Sequence, residues 1–231
     1  MIDAASIDKA VRVTIDAERS VSALLRLPKT SIACYVFAHG AGAGMTHAFM
    51  QSVAEGLALR DIASLRYQFP FLERGSKRPD VPAVAHAAVR AACLAATQAT
   101  QLPLIAGGKS FGGRMTSQAQ ALAALPNVIG LAFLGFPLHT PDQPSNERAQ
   151  HLSDVAVPML FVQGTRDKLA ELPRMERLVT ELGPNSTLLA IAHADHGFDV
   201  LVRSGRKPAD VMAELLDGLA HWIGSTVRRS N

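Results

Sequence analysis

The sequence is poor in several features that would point to particular functions. It has only two cysteines in 231 residues, Cys34 and Cys93. Both lie in apolar surroundings without the close spacing of metal ligands, which argues against a disulfide framework or a zinc site. Two buried thiols in a reducing, cytoplasmic compartment are the expectation. No apolar run approaches the ~18 to 20 residues of a membrane span. The opening residues, Met1-Ile2-Asp3-Ala4-Ala5-Ser6, show no basic stretch leading into an apolar one, so no signal peptide is read there. The net charge is +3. Its basic residues are scattered and form no aromatic-interleaved stripe, so neither a nucleic-acid nor a membrane partner is expected. No internal repeat and no low-complexity linker break the chain.

What the chain does have is an alternation. Apolar runs of strand length are separated by longer, alanine-rich helical segments, the pattern of a parallel sheet covered on both faces. Val11–Ile15 and Val21–Leu27 read as an N-terminal hairpin. Further strands are expected at Ser31–Ala38, Ser64–Phe69, Leu104–Gly108, Val128–Leu134, Pro158–Gln163 and Thr187–Ile191. Helices are expected at His47–Leu59, Pro82–Thr100, Arg114–Leu125, Arg174–Leu182 and Pro208–Ile223. The length suits one domain spanning 1–231, and a hydrophobic content of 48% supports a sizeable core without metals or disulfides.

The most informative stretch is Gly108-Lys109-Ser110-Phe111-Gly112, a G-x-S-x-G. The bare pattern arises by chance in roughly one chain in fifteen of this length, so its setting decides. A strand precedes it, a helix follows, and Gly107 and Gly113 flank it. In that setting it is a nucleophile elbow. The turn strains the serine backbone, and the residues two away on each side must lack a Cβ. Ser110 then stands clear of the sheet edge at a helix N-terminus, where free amides favour developing negative charge.

A serine that performs acyl transfer needs a base, a group that orients the base, and two amides for the oxyanion. After Ser110, one strand runs into Gly164-Thr165-Arg166-Asp167 and the next into Ala192-His193-Ala194-Asp195-His196-Gly197. Both sets fall at strand C-termini, where open α/β sheets place their sites. Two histidines compete for the base. His196, deeper in its loop and followed by a glycine, is preferred over His193, which directly follows the strand. Asp167 is preferred as the acid over Asp154 and Asp195, neither of which directly follows a strand. The amide of Phe111 supplies one oxyanion donor, and the glycine-rich His39-Gly40-Ala41-Gly42-Ala43-Gly44 loop supplies the other, assigned to Ala41. That loop lacks the Lys-Ser/Thr of a phosphate-binding P-loop. Phe69, Phe136 and Leu138, at strand ends, are assigned to substrate binding. Lys109 and Arg114 could attract an anionic substrate, but pairing or solvation is the expectation. His47, His86, His151 and His221 show no ligand spacing.

The motifs His39-Gly40-Ala41-Gly42-Ala43, Leu65-Arg66-Tyr67-Gln68-Phe69-Pro70-Phe71, Gly107 to Met115, Gly135-Phe136-Pro137-Leu138-His139, Gln163 to Asp167 and Ala194 to Phe198 are spread over roughly residues 30 to 225. In them the sequence resembles small α/β-hydrolases, dienelactone-hydrolase-like, of the KAT8-complex-subunit/testis-expressed-protein type of predicted hydrolases. The resemblance implies an α/β-hydrolase fold: a mostly parallel sheet with helices on both faces and no large cap. It also implies a triad of Ser110, Asp167 and His196. Ser110 stands where true dienelactone hydrolases carry cysteine. The expected activity is that of a cofactor-free and metal-free serine esterase acting on a small-molecule ester. A thioesterase or peptidase with the same triad, and a non-catalytic module retaining the fold, are the alternatives.

Overall fold

The computed structural model describes residues 7–141 and 143–230. An antiparallel hairpin, β1 (Lys9–Thr14) and β2 (Ser20–Arg26), leads into β3 (Ala33–Ala38), α1 (Ala48–Ala58), β4 (Ile62–Tyr67) and a single helical turn, α2 (Pro70–Glu73). There follow α3 (Pro82–Thr100), β5 (Leu104–Lys109), α4 (Phe111–Leu122) and β6 (Val128–Leu134). The chain then runs through a 3-10 segment at Glu147–Asp154 into β7 (Met159–Gly164), α5 (Leu172–Leu182), β8 (Ser186–Ile191) and α6 (Pro208–Ser230). The eight strands form one sheet in the order β1-β2-β4-β3-β5-β6-β7-β8. The β1–β2 and β2–β4 pairs are antiparallel, and every later pair is parallel.

Strand alternation splits the core between the two faces of this sheet. In β3, Cys34, Val36 and Ala38 point to the face covered by α3, α4 and α5. Their neighbours Ala33, Tyr35 and Phe37 point to the face covered by α1 and α6. All six are buried, as expected of a central parallel strand. Tyr35 keeps its hydroxyl satisfied inside the core by donating to the Ala132 carbonyl at 2.8 Å. Fully burying one of these larger side chains contributes roughly 1.5 to 3 kcal/mol, and the rows of β3, β6 and β7 repeat that burial on both faces.

Three departures from the sequence reading have local causes. Phe69 does not extend β4. It is the N-cap of α2, because Pro70 fills the first helical position with its fixed φ. Helix α4 starts at Phe111 rather than Arg114, so the elbow has no intervening loop. Helix α6 continues past Ile223 to Ser230, carried by the buried Gly224 and Thr226 and ending on Arg228 and Arg229, which complement its C-terminal dipole. Among the described residues, no helix is long and apolar enough to cross a membrane.

Candidate active site

The sharp turn at Ser110 follows from what surrounds it. Ser110 has φ 51° and ψ −114° and caps α4. A Cβ on Gly108 would lie 2.4 Å from the Ala38 carbonyl oxygen. One on Gly112 would lie 2.5 Å from the same atom and 2.6 Å from the His39 carbonyl oxygen. The two elbow glycines are thus the surface on which the end of β3 rests, and any side chain there would push the loop away.

Around Ser110 the strand ends bring together a chain of hydrogen bonds. The Ser110 Oγ lies 2.9 Å from His196 Nε2, and His196 Nδ1 lies 2.6 Å from Asp167 Oδ2. The Asp167 carboxylate is fully buried, while His196 retains partial exposure toward the cleft. Asp167 also accepts the Leu169 N–H at 2.8 Å and the Gln163 side-chain amide at 2.5 Å. Gln163 was not singled out in the sequence. It is fully buried near the end of β7, and its Oε1 accepts the Phe136 N–H at 3.0 Å. A polar side chain in an otherwise apolar strand, four residues before the acid, was the available signal. The acid and base loops are joined directly, since the Arg166 N–H donates to the Ala194 carbonyl at 2.8 Å.

The competing residues lie elsewhere. His193 is exposed with φ 65° and engages Thr165 through its backbone. Asp195 accepts the Gly197 and Asp199 N–H groups and so shapes the loop rather than touching the imidazole. Asp154 is exposed at the end of the 3-10 segment.

Ala41 and Phe111 line the same cavity as Ser110, of about 360 Å³. Neither N–H donates a hydrogen bond among the described residues. The loop carrying Ala41 is held from below. His39 accepts the Phe69 N–H on Nε2 at 2.9 Å and donates from Nδ1 to the Gly40 carbonyl at 2.8 Å. Burial pushes His39 down to about 4. Gln68 accepts the Met45 N–H, and the buried Arg66 donates to the Met45 carbonyl.

The assignment of Phe69, Phe136 and Leu138 to the cleft is corrected, because all three side chains are fully buried. Phe69 packs edge-on against His39 and Phe111, with centroids 4.9 and 5.3 Å apart. Phe136 joins Phe133 and Phe161 in the core. The backbone reverses at Gly135, φ 70°, which turns Phe136 and Leu138 inward and leaves Pro137 facing the cleft. Leu169, Met115, Phe111, Pro79 and Pro82 also contribute apolar wall.

The two basic residues near the elbow part company. Lys109 donates to the His196 carbonyl, and burial pushes it down to about 8. Arg114 lines the cleft with Arg148, and its guanidinium lies 5.8 Å from the Phe111 ring centroid. Burial, and then the charge of Arg148, lower Arg114 from its usual value. Its Nε is buried without a hydrogen-bond partner. Among the described residues, no cluster of three or more His, Cys, Asp or Glu side chains could hold a metal ion.

A parallel sheet with a strained serine between strand and helix, followed in order by a carboxylate and an imidazole at later strand ends, defines an α/β-hydrolase. The chain belongs to the Alpha/beta hydrolase domain family, whose model matches residues 31–224. Solved structures share the fold. Dienelactone hydrolase from Anabaena variabilis superposes with a TM-score of 0.75 at 22% identity, over 95% of this chain and 97% of that one. A serine hydrolase without a lid from Xanthomonas campestris gives 0.72 at 18% identity, over 93% and 94%. An esterase domain from Rhodothermus marinus gives 0.68 at 17% identity, over 94% and 97%.

Proposed function

We propose that this protein is a serine hydrolase, a carboxylesterase that cleaves small esters through an acyl-enzyme. The carrying observation is the continuous Ser110–His196–Asp167 hydrogen-bond chain at 2.9 and 2.6 Å. His196 takes the Ser110 proton as Oγ attacks the ester carbonyl, and the resulting oxyanion lies against the Ala41 and Phe111 N–H groups. His196 returns the proton to the leaving alcohol. Water then repeats the sequence on the acyl-enzyme, releasing the acid and restoring Ser110. Asp167 holds the imidazole in the tautomer with its proton on Nδ1 and stabilises the imidazolium formed in each half-reaction. Oxyanion donors of this kind contribute several kcal/mol to the barrier reduction.

The whole chain is one α/β-hydrolase domain of the kind found in the dienelactone-hydrolase-like predicted hydrolases it resembles in its motifs. The free, buried Cys34 and Cys93 fit a reducing, cytoplasmic setting. The cleft favours an ester carrying negative charge. Arg114 and Arg148 share it with Ser110, and neither forms an ion pair with a carboxylate among the described residues. Asp80 lines the same cleft but is paired with Arg74. The test compares p-nitrophenyl butyrate with p-nitrophenyl hemisuccinate, which adds a carboxylate at similar length. Arg114→Met should lower kcat/KM for the hemisuccinate about tenfold or more and leave the butyrate nearly unchanged. Ser110→Ala should abolish turnover of both. Equal losses on the two esters would remove the charge preference.

A further inference from the structure

Lys109 directly precedes Ser110 and ends β5, yet its side chain serves another loop. Its ammonium donates to the backbone carbonyl of His196. It also lies 5.8 and 5.2 Å from the ring centroids of Phe49 and Phe198. These rings stack on each other across α1 and the base loop, 5.7 Å apart and 7° from parallel. The space is closely fitted. A Cβ on Gly135 would lie 2.8 Å from Lys109 Nζ and 3.4 Å from His196 Nδ1 and Cε1, and Gly135 also has φ 70°. No carboxylate forms an ion pair with Lys109 among the described residues. Asp167, Asp195 and Asp199 act on it only at longer range. Lys109 also lines a cavity of about 360 Å³ that has His47 and Asp199 on its wall.

The base loop needs such a tether. Phe198 has φ 68°, an uncommon conformation for a large side chain. The loop's own hydrogen bonds, from Gly197 and Asp199 to the Asp195 carboxylate, fix its shape but not its distance from the elbow. The Lys109 bond runs from the residue beside the nucleophile to the backbone of the base, so it ties the elbow directly to the base loop, alongside the Arg166–Ala194 bond that joins that loop to the acid.

Building on the serine-hydrolase reading above, we propose that Lys109 is a positioning residue: its ammonium, bonded to the His196 carbonyl, fixes His196 against Ser110. A misplacement of about 1 Å in such a pair can cost on the order of a hundredfold in rate. One consequence for pH follows. Burial brings Lys109 to about 8, so the ammonium is lost as pH rises through that value and the tether weakens.

The experiment compares the full-length protein with Lys109→Met and Lys109→Gln, using p-nitrophenyl acetate across the pH range on both sides of neutrality. Thermal unfolding is recorded for each variant. Lys109→Met should lower kcat by about 10- to 100-fold with KM within about twofold. The wild type's alkaline decline should vanish. Lys109→Gln retains a neutral donor and should recover part of kcat but not the alkaline decline. If Lys109→Met fails to fold, the pH profile of Lys109→Gln decides. Wild-type kcat and an unchanged profile in the folded variants would overturn the proposal. Ser110→Ala, assayed alongside, separates the two ideas. Full activity in Ser110→Ala removes the serine reading itself. A dead Ser110→Ala with unaltered Lys109 variants removes only the role of Lys109.

Discussion

Acid should destabilise this protein through His39, by an amount that can be worked out. The His39 ring is fully buried. One nitrogen donates to Gly40 and the other accepts from Phe69. A second ring proton would face the Phe69 N–H, donor against donor, so burial holds the folded group at about 4, down from 6.5. In the unfolded chain the same histidine gains its proton near pH 6.5. Between these values the unfolded state binds more protons, so stability rises with pH. The contribution is fully present above about pH 6.5 and is lost progressively toward pH 4. From pH 7 to 5 the loss is about 2 kcal/mol for this one group, a fall in Tm of roughly 4–8 °C for a chain of this size. The assay is urea unfolding at both pH values for wild type and His39→Gln, whose side-chain oxygen can still accept from Phe69. The variant should lose about 2 kcal/mol less than wild type over that interval. Equal losses in the two proteins would refute the buried-neutral account of His39. The consequence reaches the chemistry, because His39 anchors the loop that carries Ala41.

Two further outcomes follow from the geometry. Gly112→Ala would force a methyl to within 2.6 Å of both the Ala38 and His39 carbonyl oxygens. It should cost about 1 to 3 kcal/mol in urea unfolding and lower the rate of fluorophosphonate labelling. The segment between β6 and β7 contributes Pro137 and Arg148 to the cleft, and among its described residues the only helical stretch is the 3-10 segment Glu147–Asp154. That segment lays no long apolar helix over the cleft, so beyond a short acyl group the ~0.8 kcal/mol per buried methylene is not collected and kcat/KM should peak between acetyl and butyryl p-nitrophenyl esters. A rise that continues to long-chain esters would contradict the open cleft.

Much of this was legible in the sequence, for identifiable reasons. The helix at Pro82–Thr100 and the strand at Val128–Leu134 have the expected bounds, because proline opens the first and an unbroken apolar run defines the second. The spatial meeting of Ser110, Asp167 and His196 was readable because strand–loop punctuation put each at the same sheet edge. Side-chain direction beyond a strand end was not readable. Once Gly135 reverses the backbone, strand alternation no longer tells which of Phe136, Pro137 and Leu138 faces out. Nor could charge alone distinguish Lys109, drawn under the base loop, from Arg114, left facing the cleft. That difference is set by the aromatic pair Phe49 and Phe198, which meet only in three dimensions. The role of Gln163 was not readable because its two partners, the Phe136 N–H and the Asp167 carboxylate, lie in different loops that meet only in the fold.

The most direct measurement is intact-protein mass spectrometry after reaction with a fluorophosphonate, followed by peptide mapping. The account predicts a single phosphonyl adduct on Ser110 that is absent in Ser110→Ala and forms far more slowly in His196→Ala, while His193→Ala labels like the wild type. An adduct on another residue, or undiminished labelling of His196→Ala beside an inert His193→Ala, would contradict it.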